Sequence, residues 1–191
     1  MCGNGGRCIV RFARQVGIDR PRYRFVAIDG PHEAEILTDG TVALGMSPVR
    51  EVRETEGDLV LDTGSPHYLR FVANLAAVDV VSTGRSIRRS AAFGEAGINV
   101  NFVESQNDEL HIATYERGVE DETLACGTGV TAAAVGHLYR NPQLADGGEF
   151  RINVHARGGD LAVTGRRTGA GFTDLCLIGP ATYVFGGTIT L

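Results

Sequence analysis

The chain has 191 residues, 43% of them hydrophobic and 21% charged, enough for a sizeable core in one large domain or two small ones. A formal net charge of −5 argues against nucleic acid as a partner, and no apolar run is long enough to span a bilayer. All 18 basic residues are arginine, so a pyridoxal-phosphate Schiff base and a P-loop, which both need lysine, are excluded.

In chain order, the first predicted element is a helix over residues 5–16. Ile9, Phe12, Ala13 and Val16 form its apolar face, Arg7, Arg11 and Arg14 lie on another, and Gly17 is a natural stop. From Tyr23 the pattern turns to strands: 23–28, then 34–37 and 41–44 across an Asp39-Gly40 hairpin signal. Further strands are expected at 59–62, 68–72, 99–103 and 110–115, the last two joined by a turn at Asn107-Asp108. Residues 82–91 are ambiguous and read as a short helix. A second helix is predicted over about 129–139 on Val130, Ala133, Ala134, Val135 and Leu138, ended by Asn141-Pro142. Strands return at 150–155, 161–164, 172–178 and 182–190.

The feature that carries chemistry is the tetrapeptide Cys-Gly-x-Gly, present at Cys2-Gly3-Asn4-Gly5 and again at Cys126-Gly127-Thr128-Gly129, 124 residues later. Each copy opens an amphipathic helix and is followed by strands, which reads as a duplicated helix-plus-sheet unit. A thiol at a helix N-terminus meets partial positive charge and unpaired N–H groups, which favour thiolate and attract anions. Taken singly, such a cysteine is more often buried filler; taken as a pair, two facing thiols could exchange a proton at one carbon from opposite sides. A substrate carboxylate between the two helix starts would be held by N–H groups that also stabilise charge building up when the Cα proton leaves. Cys8 and Cys176 read as structural, and all four thiols as reduced. Glu116, Glu120, Asp121 and Glu122 form an acidic stretch that would raise the Cys126 thiol against the helix terminus. Glu120 and Asp121 read as a solvated loop, Glu116 as more than that. Without further information His67 reads as an ordinary loop histidine and Arg117 as a surface charge.

These residues resemble the diaminopimelate epimerase family. Met1-Cys2-Gly3-Asn4-Gly5-Gly6-Arg7-Cys8 is similar to its first catalytic motif. Thr114-Tyr115-Glu116-Arg117-Gly118 with Ala125-Cys126-Gly127-Thr128-Gly129 is similar to the second, with Gly64-Ser65-Pro66-His67 and Ile98-Asn99-Val100 between them. The resemblance implies a cofactor-independent, metal-free isomerase that interconverts L,L- and meso-diaminopimelate in lysine and cell-wall precursor synthesis, in the cytoplasm. It implies that Cys2 and Cys126 are the acid–base pair and that N–H groups of Gly3, Asn4, Gly127 and Thr128 hold the reacting carboxylate. Arg117 would pair with the distal carboxylate, Glu116 and Asn99 would hold the distal amino-acid head, and His67 and Ser65 would support the site.

The implied fold is α+β, with two pseudo-symmetric domains, each a mostly antiparallel curved sheet or barrel around a central helix. The expected division is residues 1–48 with about 177–191, the first domain being incomplete, and residues 49–176. Ser65 stands where the family has asparagine, and the span from Arg117 to Cys126 is one residue longer than usual. The chain starts at the first catalytic motif, so Met1 is expected to be internal to a longer protein and the helix around Phe12 to lack part of its β cover. The partner expected is a small amino acid, with no nucleic acid and no membrane; homodimerisation is left open. The rivals are a proline or hydroxyproline racemase of the same build, an inactive domain, and a thiol metal or redox site.

Overall fold

A computed structural model describes residues 1–107, 109–145, 148–169 and 171–189. Its elements in order are α1 (Gly3–Gln15), β1 (Tyr23–Ala27), β2 (Gly30–Ile36), β3 (Val42–Gly45), β4 (Val52–Thr55), β5 (Asp58–Asp62) and β6 (Pro66–Phe71). After a 3-10 turn at Leu75–Ala77 come α2 (Val80–Arg88), β7 (Asn99–Gln106), β8 (Glu109–Glu116), β9 (Asp121–Thr123) and α3 (Gly127–Arg140). A second 3-10 turn at Pro142–Ala145 leads to β10 (Glu149–Ala156), β11 (Gly159–Thr168) and β12 (Gly171–Gly179). The strands form one sheet in the order β1-β2-β3-β12-β11-β10-β8-β7-β6-β5-β4, with β9 added beside β8. Among the described residues every pairing is antiparallel except β6 with β7 and β8 with β10. The α+β class and the mostly antiparallel sheet expected from the sequence are both present.

The sheet curls around α3, which touches every strand from β5 to β8 and from β10 to β12 and is buried along its length from Gly127 to Leu138. Small residues make that enclosure possible. Ala132, Ala133 and Ala134 are wholly buried, and a Cβ on Gly136 would come within 2.4 Å of the Leu69 side chain. Leu138, Val135 and Val130 anchor the helix in the largest core cluster, each contributing roughly 2 kcal/mol by leaving water. On the opposite face of β6–β8, α2 covers Tyr68, Val100, Phe102 and Tyr115, so β7 is buried on both sides. Period-2 alternation therefore places His67, Asn99, Asn101, Thr114 and Glu116 on the inner face with α3. Each of these strands is polar near the start of α3 and apolar farther along, as Leu69, Val103 and Ile112 show.

Around α1 the structure corrects the sequence reading. The buried face is Gly3, Gly6, Arg7 and Val10, whereas Ile9, Phe12 and Val16 are 48%, 56% and 55% exposed. Glycine decides this orientation: α1 closes so tightly on β3 that a Cβ on Gly6 would lie 2.8 Å from Leu44. Apolar surface at Phe12 was expected and is observed. Cys8, read as structural, is exposed on this helix and contributes nothing to the core.

The strand expected at 182–190 is absent from residues 182–189; Thr190 lies outside the described residues. Pro180 lacks an N–H, and β12 is already paired on both edges, by β3 and β11, so this segment has no free ladder beside it. Two short strands were not foreseen. The charged edge strand β4 is turned onto β5 by Glu56-Gly57, at φ 51 and 86, a two-residue hairpin with both central residues left-handed. The other, β9, lies in the acidic stretch. The turn between β7 and β8 is present at Asn107, at φ 50, while Asp108 lies outside the described residues.

Candidate active site

The two cysteine turns converge. Cys2 and Cys126 occupy the position before α1 and α3, both in extended conformation, with Gly6 N and Val130 N donating to their carbonyls at 2.9 Å. A cysteine supplies no oxygen to cap the helix, so the first-turn N–H groups keep their capacity to bind an anion. The helix starts meet at glycine: a Cβ on Gly127 would lie 3.1 Å from the Gly3 Cα, and one on Gly3 would lie 3.2 Å from the Gly127 Cα.

Between them lies a cavity of about 220 Å³. Cys2, Gly3 and Asn4 line it from α1; Cys126, Gly127 and Thr128 line it from α3; Ser65, Asn99, Glu116 and Arg117 close it from the strand ends. Every residue to which the resemblance assigns a part in the site is therefore at this cavity except His67, which lies buried beneath it. A wider groove of about 720 Å³ runs between α1 and residues 181–184, but it holds one cysteine, Cys8, and neither helix start.

The two thiols sit in unlike surroundings. Cys2 is exposed, whereas Cys126 is half-buried. Burial pushes the Cys126 thiol above its ordinary range, and the charges of Glu116 and Cys2 add to the rise; the Thr128 hydroxyl and the Gly129 N–H oppose it. The charge of Cys2 thus acts on Cys126. Both directions of influence expected from the sequence, acidic residues raising and the helix start lowering, are present.

His67 is fully buried on β6. Its Nε2 is 2.9 Å from the Thr128 hydroxyl and its Nδ1 is 3.0 Å from the Asn101 amide nitrogen. Desolvation pushes its pKa down to about 3, with the Arg117 charge acting in the same direction, so the ring is neutral at physiological pH. Thr128 Oγ1 in turn lies 3.4 Å from Cys126 Sγ.

Asn99 organises the rim. Its amide nitrogen donates to Ser65 Oγ at 2.6 Å and to the Pro66 carbonyl at 3.1 Å, and its oxygen accepts from the Arg117 backbone N–H at 2.9 Å. Ser65 is thus short enough to be held by Asn99 while still facing the cavity. The Arg117 guanidinium donates to the Ala96 carbonyl at 3.1 Å and forms no ion pair among the described residues.

Three contributors escaped the sequence reading. Arg7, placed there with Arg11 and Arg14 on a face apart from the apolar one, is buried beneath the first cysteine turn and donates to Asn4 Oδ1 at 2.8 Å, to the Gly3 carbonyl and to the Pro180 carbonyl. Asn101 holds His67; its signal was its place two residues beyond Asn99 on the same strand face. Glu120, read as part of a solvated loop, pairs with Arg88 at 2.9 Å and accepts from the Tyr115 hydroxyl and the Gly118 N–H. That residue adopts φ 62, and its carboxylate ties down the turn that carries Arg117.

Comparison with known proteins agrees with this geometry. The family model for diaminopimelate epimerase matches residues 59–184. A diaminopimelate epimerase of Flavobacterium psychrophilum is 43% identical over 190 residues, covering 99% of this chain and 73% of the relative. One from Chlorobaculum tepidum is 41% identical over 200 residues, covering 100% of this chain and 75% of the relative. Among solved structures, a probable proline racemase from Agrobacterium radiobacter K84, with bound carbonate, superposes with a TM-score of 0.67 at 18% identity, covering all of this chain and 68% of that one. At that identity the likeness speaks for the fold alone. Paired thiols at two helix starts, a cavity between them, and relatives above 40% identity along nearly the whole chain lead to one assignment: the chain belongs to the diaminopimelate epimerase family.

Proposed function

We propose that this protein is a cofactor-independent isomerase that interconverts L,L- and meso-diaminopimelate, serving lysine and cell-wall precursor synthesis in the cytoplasm. The observation that carries the reading is the meeting of two thiol-bearing helix starts, at Gly3 and Gly127, over one polar cavity. The substrate is drawn from the named relatives.

In the reaction, one cysteine thiolate removes the Cα proton, forming an S–H bond as the C–H bond breaks. The electron pair left on Cα delocalises into the adjacent carboxylate, where N–H groups of Gly3, Asn4, Gly127 and Thr128 stabilise the added charge. The opposite cysteine, protonated, returns a proton to the other face and is left as thiolate. Atoms and charge balance with the substrate's own carboxylate taking up the electron pair, so the step as written uses no cofactor and no metal. Arg117 supplies a bidentate donor for the distal carboxylate, and Glu116 and Asn99 face the distal amino-acid head. In this reading the chain works as two halves with one thiol each, residues 1–48 with about 177–191, and residues 49–176. The separate core clusters around α1 and α3 support that division. No helix of the described residues is long and apolar enough to cross a membrane.

The test is turnover of L,L-diaminopimelate in deuterium oxide. Formation of the meso isomer with deuterium at Cα is expected, and Cys2→Ala or Cys126→Ala should abolish epimerisation. Deuterium incorporation that survives both single substitutions would overturn the two-thiol mechanism. Proline as substrate in the same assay separates this reading from a racemase that shares the fold.

A further inference from the structure

We propose that Asn101, which does not line the cavity, is a positioning residue: it fixes the direction of a buried hydrogen-bond chain so that the Thr128 hydroxyl donates to the Cys126 sulfur. The inference rests on reading Cys126 as an acid–base thiol.

Direction follows from one group that has no choice. The Tyr68 backbone carbonyl can only accept, and Asn101 Nδ2 lies 3.0 Å from it, so the amide nitrogen occupies that side. The same nitrogen lies 3.0 Å from His67 Nδ1, which must therefore present a bare lone pair. A neutral imidazole with Nδ1 bare carries its proton on Nε2, aimed at Thr128 Oγ1 at 2.9 Å. The Thr128 hydroxyl thus receives one hydrogen, and its own proton is directed to Cys126 Sγ at 3.4 Å. Asn101 Oδ1 is closed off by the Thr114 hydroxyl at 2.9 Å. Asn101, His67 and Thr114 are all buried, so water does not compete for these bonds.

A hydrogen-bond donor at sulfur favours thiolate. It offsets burial and the charges that face Cys126 from elsewhere, Glu116 on β8 and Cys2 before α1; burial, with the Arg117 charge adding to it, keeps the His67 ring unprotonated. Gly129 makes the chain possible, because a Cβ there would lie 2.5 Å from Asn101 Oδ1 and 3.4 Å from His67 Cε1. The last glycine of the second cysteine turn therefore has a role that the first copy does not share.

The experiment measures alkylation of Cys126 by iodoacetamide against pH in the full chain, resolved by peptide mass spectrometry, with Cys2 as internal reference. Asn101→Asp keeps the size but replaces the donor by an acceptor, so the imidazole proton moves to Nδ1 and Thr128 turns toward His67. Thr128→Val deletes the last link, and Thr128→Ser keeps it. Asn101→Asp and Thr128→Val are expected to slow Cys126 alkylation about tenfold near pH 7.5, with its midpoint displaced upward and Cys2 unmoved. Thr128→Ser is expected to stay within about twofold of the parent. An unchanged Cys126 profile in folded Asn101→Asp or Thr128→Val, or Thr128→Ser as slow as Thr128→Val, overturns the proposal. If Asn101→Asp does not fold, the Thr128 pair decides. The readout needs no turnover: a parent protein inactive on diaminopimelate but showing this alkylation pattern would refute the function and uphold the hydrogen-bond chain.

Discussion

Gly3 and Gly127 stand against each other backbone to backbone, and the Leu177 side chain fills the notch beside both: a Cβ on Gly3 would lie 3.0 Å, and one on Gly127 2.8 Å, from Leu177 Cδ2. No side chain separates the two helix starts, so the spacing of the thiols is set by main chain rather than by rotamers. Gly127→Ala must push α1 and α3 apart. Because reacting groups displaced by about 1 Å can lose on the order of 10²-fold in rate, kcat/KM should fall at least tenfold, while overpacking costs about 1–3 kcal/mol of stability. Steady-state kinetics and urea unfolding on the same preparation check both figures; full activity would show that the close approach is dispensable.

Glu116 and Cys2 both raise the Cys126 thiol, but burial is the larger cause. Glu116→Gln removes one charge and leaves burial in place. Cys126 alkylation at pH 7.5 should accelerate by roughly two- to fivefold, a shift of a fraction of a pKa unit. An unaltered rate would mean that burial and Cys2 hold the thiol up without Glu116.

His67 links pH to stability. Its folded pKa, about 3, lies below the unfolded value of about 6.5, so the unfolded chain binds the proton more readily. Stability from this group is complete above pH 6.5 and is lost as pH falls toward 3. Between pH 7.5 and 5 the parent should lose about 2 kcal/mol more than His67→Gln, at about 1.4 kcal/mol per pH unit below 6.5. Urea midpoints at the two pH values measure the difference, since the other histidines are common to both proteins. Parallel losses would place the proton elsewhere.

Arg88 reaches from α2 to Glu120, which holds the Gly118 turn and the Tyr115 hydroxyl. Arg88→Ala should free the turn that carries Arg117 without touching the cavity. KM for diaminopimelate should rise several-fold with kcat changed less, and stability should drop by about 1 kcal/mol, as for a partly buried pair. A loss confined to kcat would contradict this account.

Legibility in the sequence followed local pattern. The helix from Gly127 was readable because apolar positions recur with its period and Asn141-Pro142 ends it, and the cysteine turns were readable because the motif repeats. The face of α1 was misjudged because hydrophobicity pointed to Ile9, Phe12 and Val16, while close approach to β3 selected Gly3, Gly6 and Val10. Steric fit is not written in apolar period. The expected strand beyond residue 181 failed for a related reason: alternation shows that a segment could pair, not that an edge is free. Asn101 and Arg7 went unnoticed because buried polar residues acquire meaning only from partners distant in the chain, Tyr68 and Pro180 among them.

Strand β12 pairs with β3 on one edge and β11 on the other, with Leu177 wedged at the two glycines and Pro180 bonded to Arg7. It works as a common hem. Any shift of β12 would be felt at both cysteine turns together, because Leu177 abuts Gly3 and Gly127 while Pro180 holds Arg7, so damage to this one strand would unseat both sulfurs.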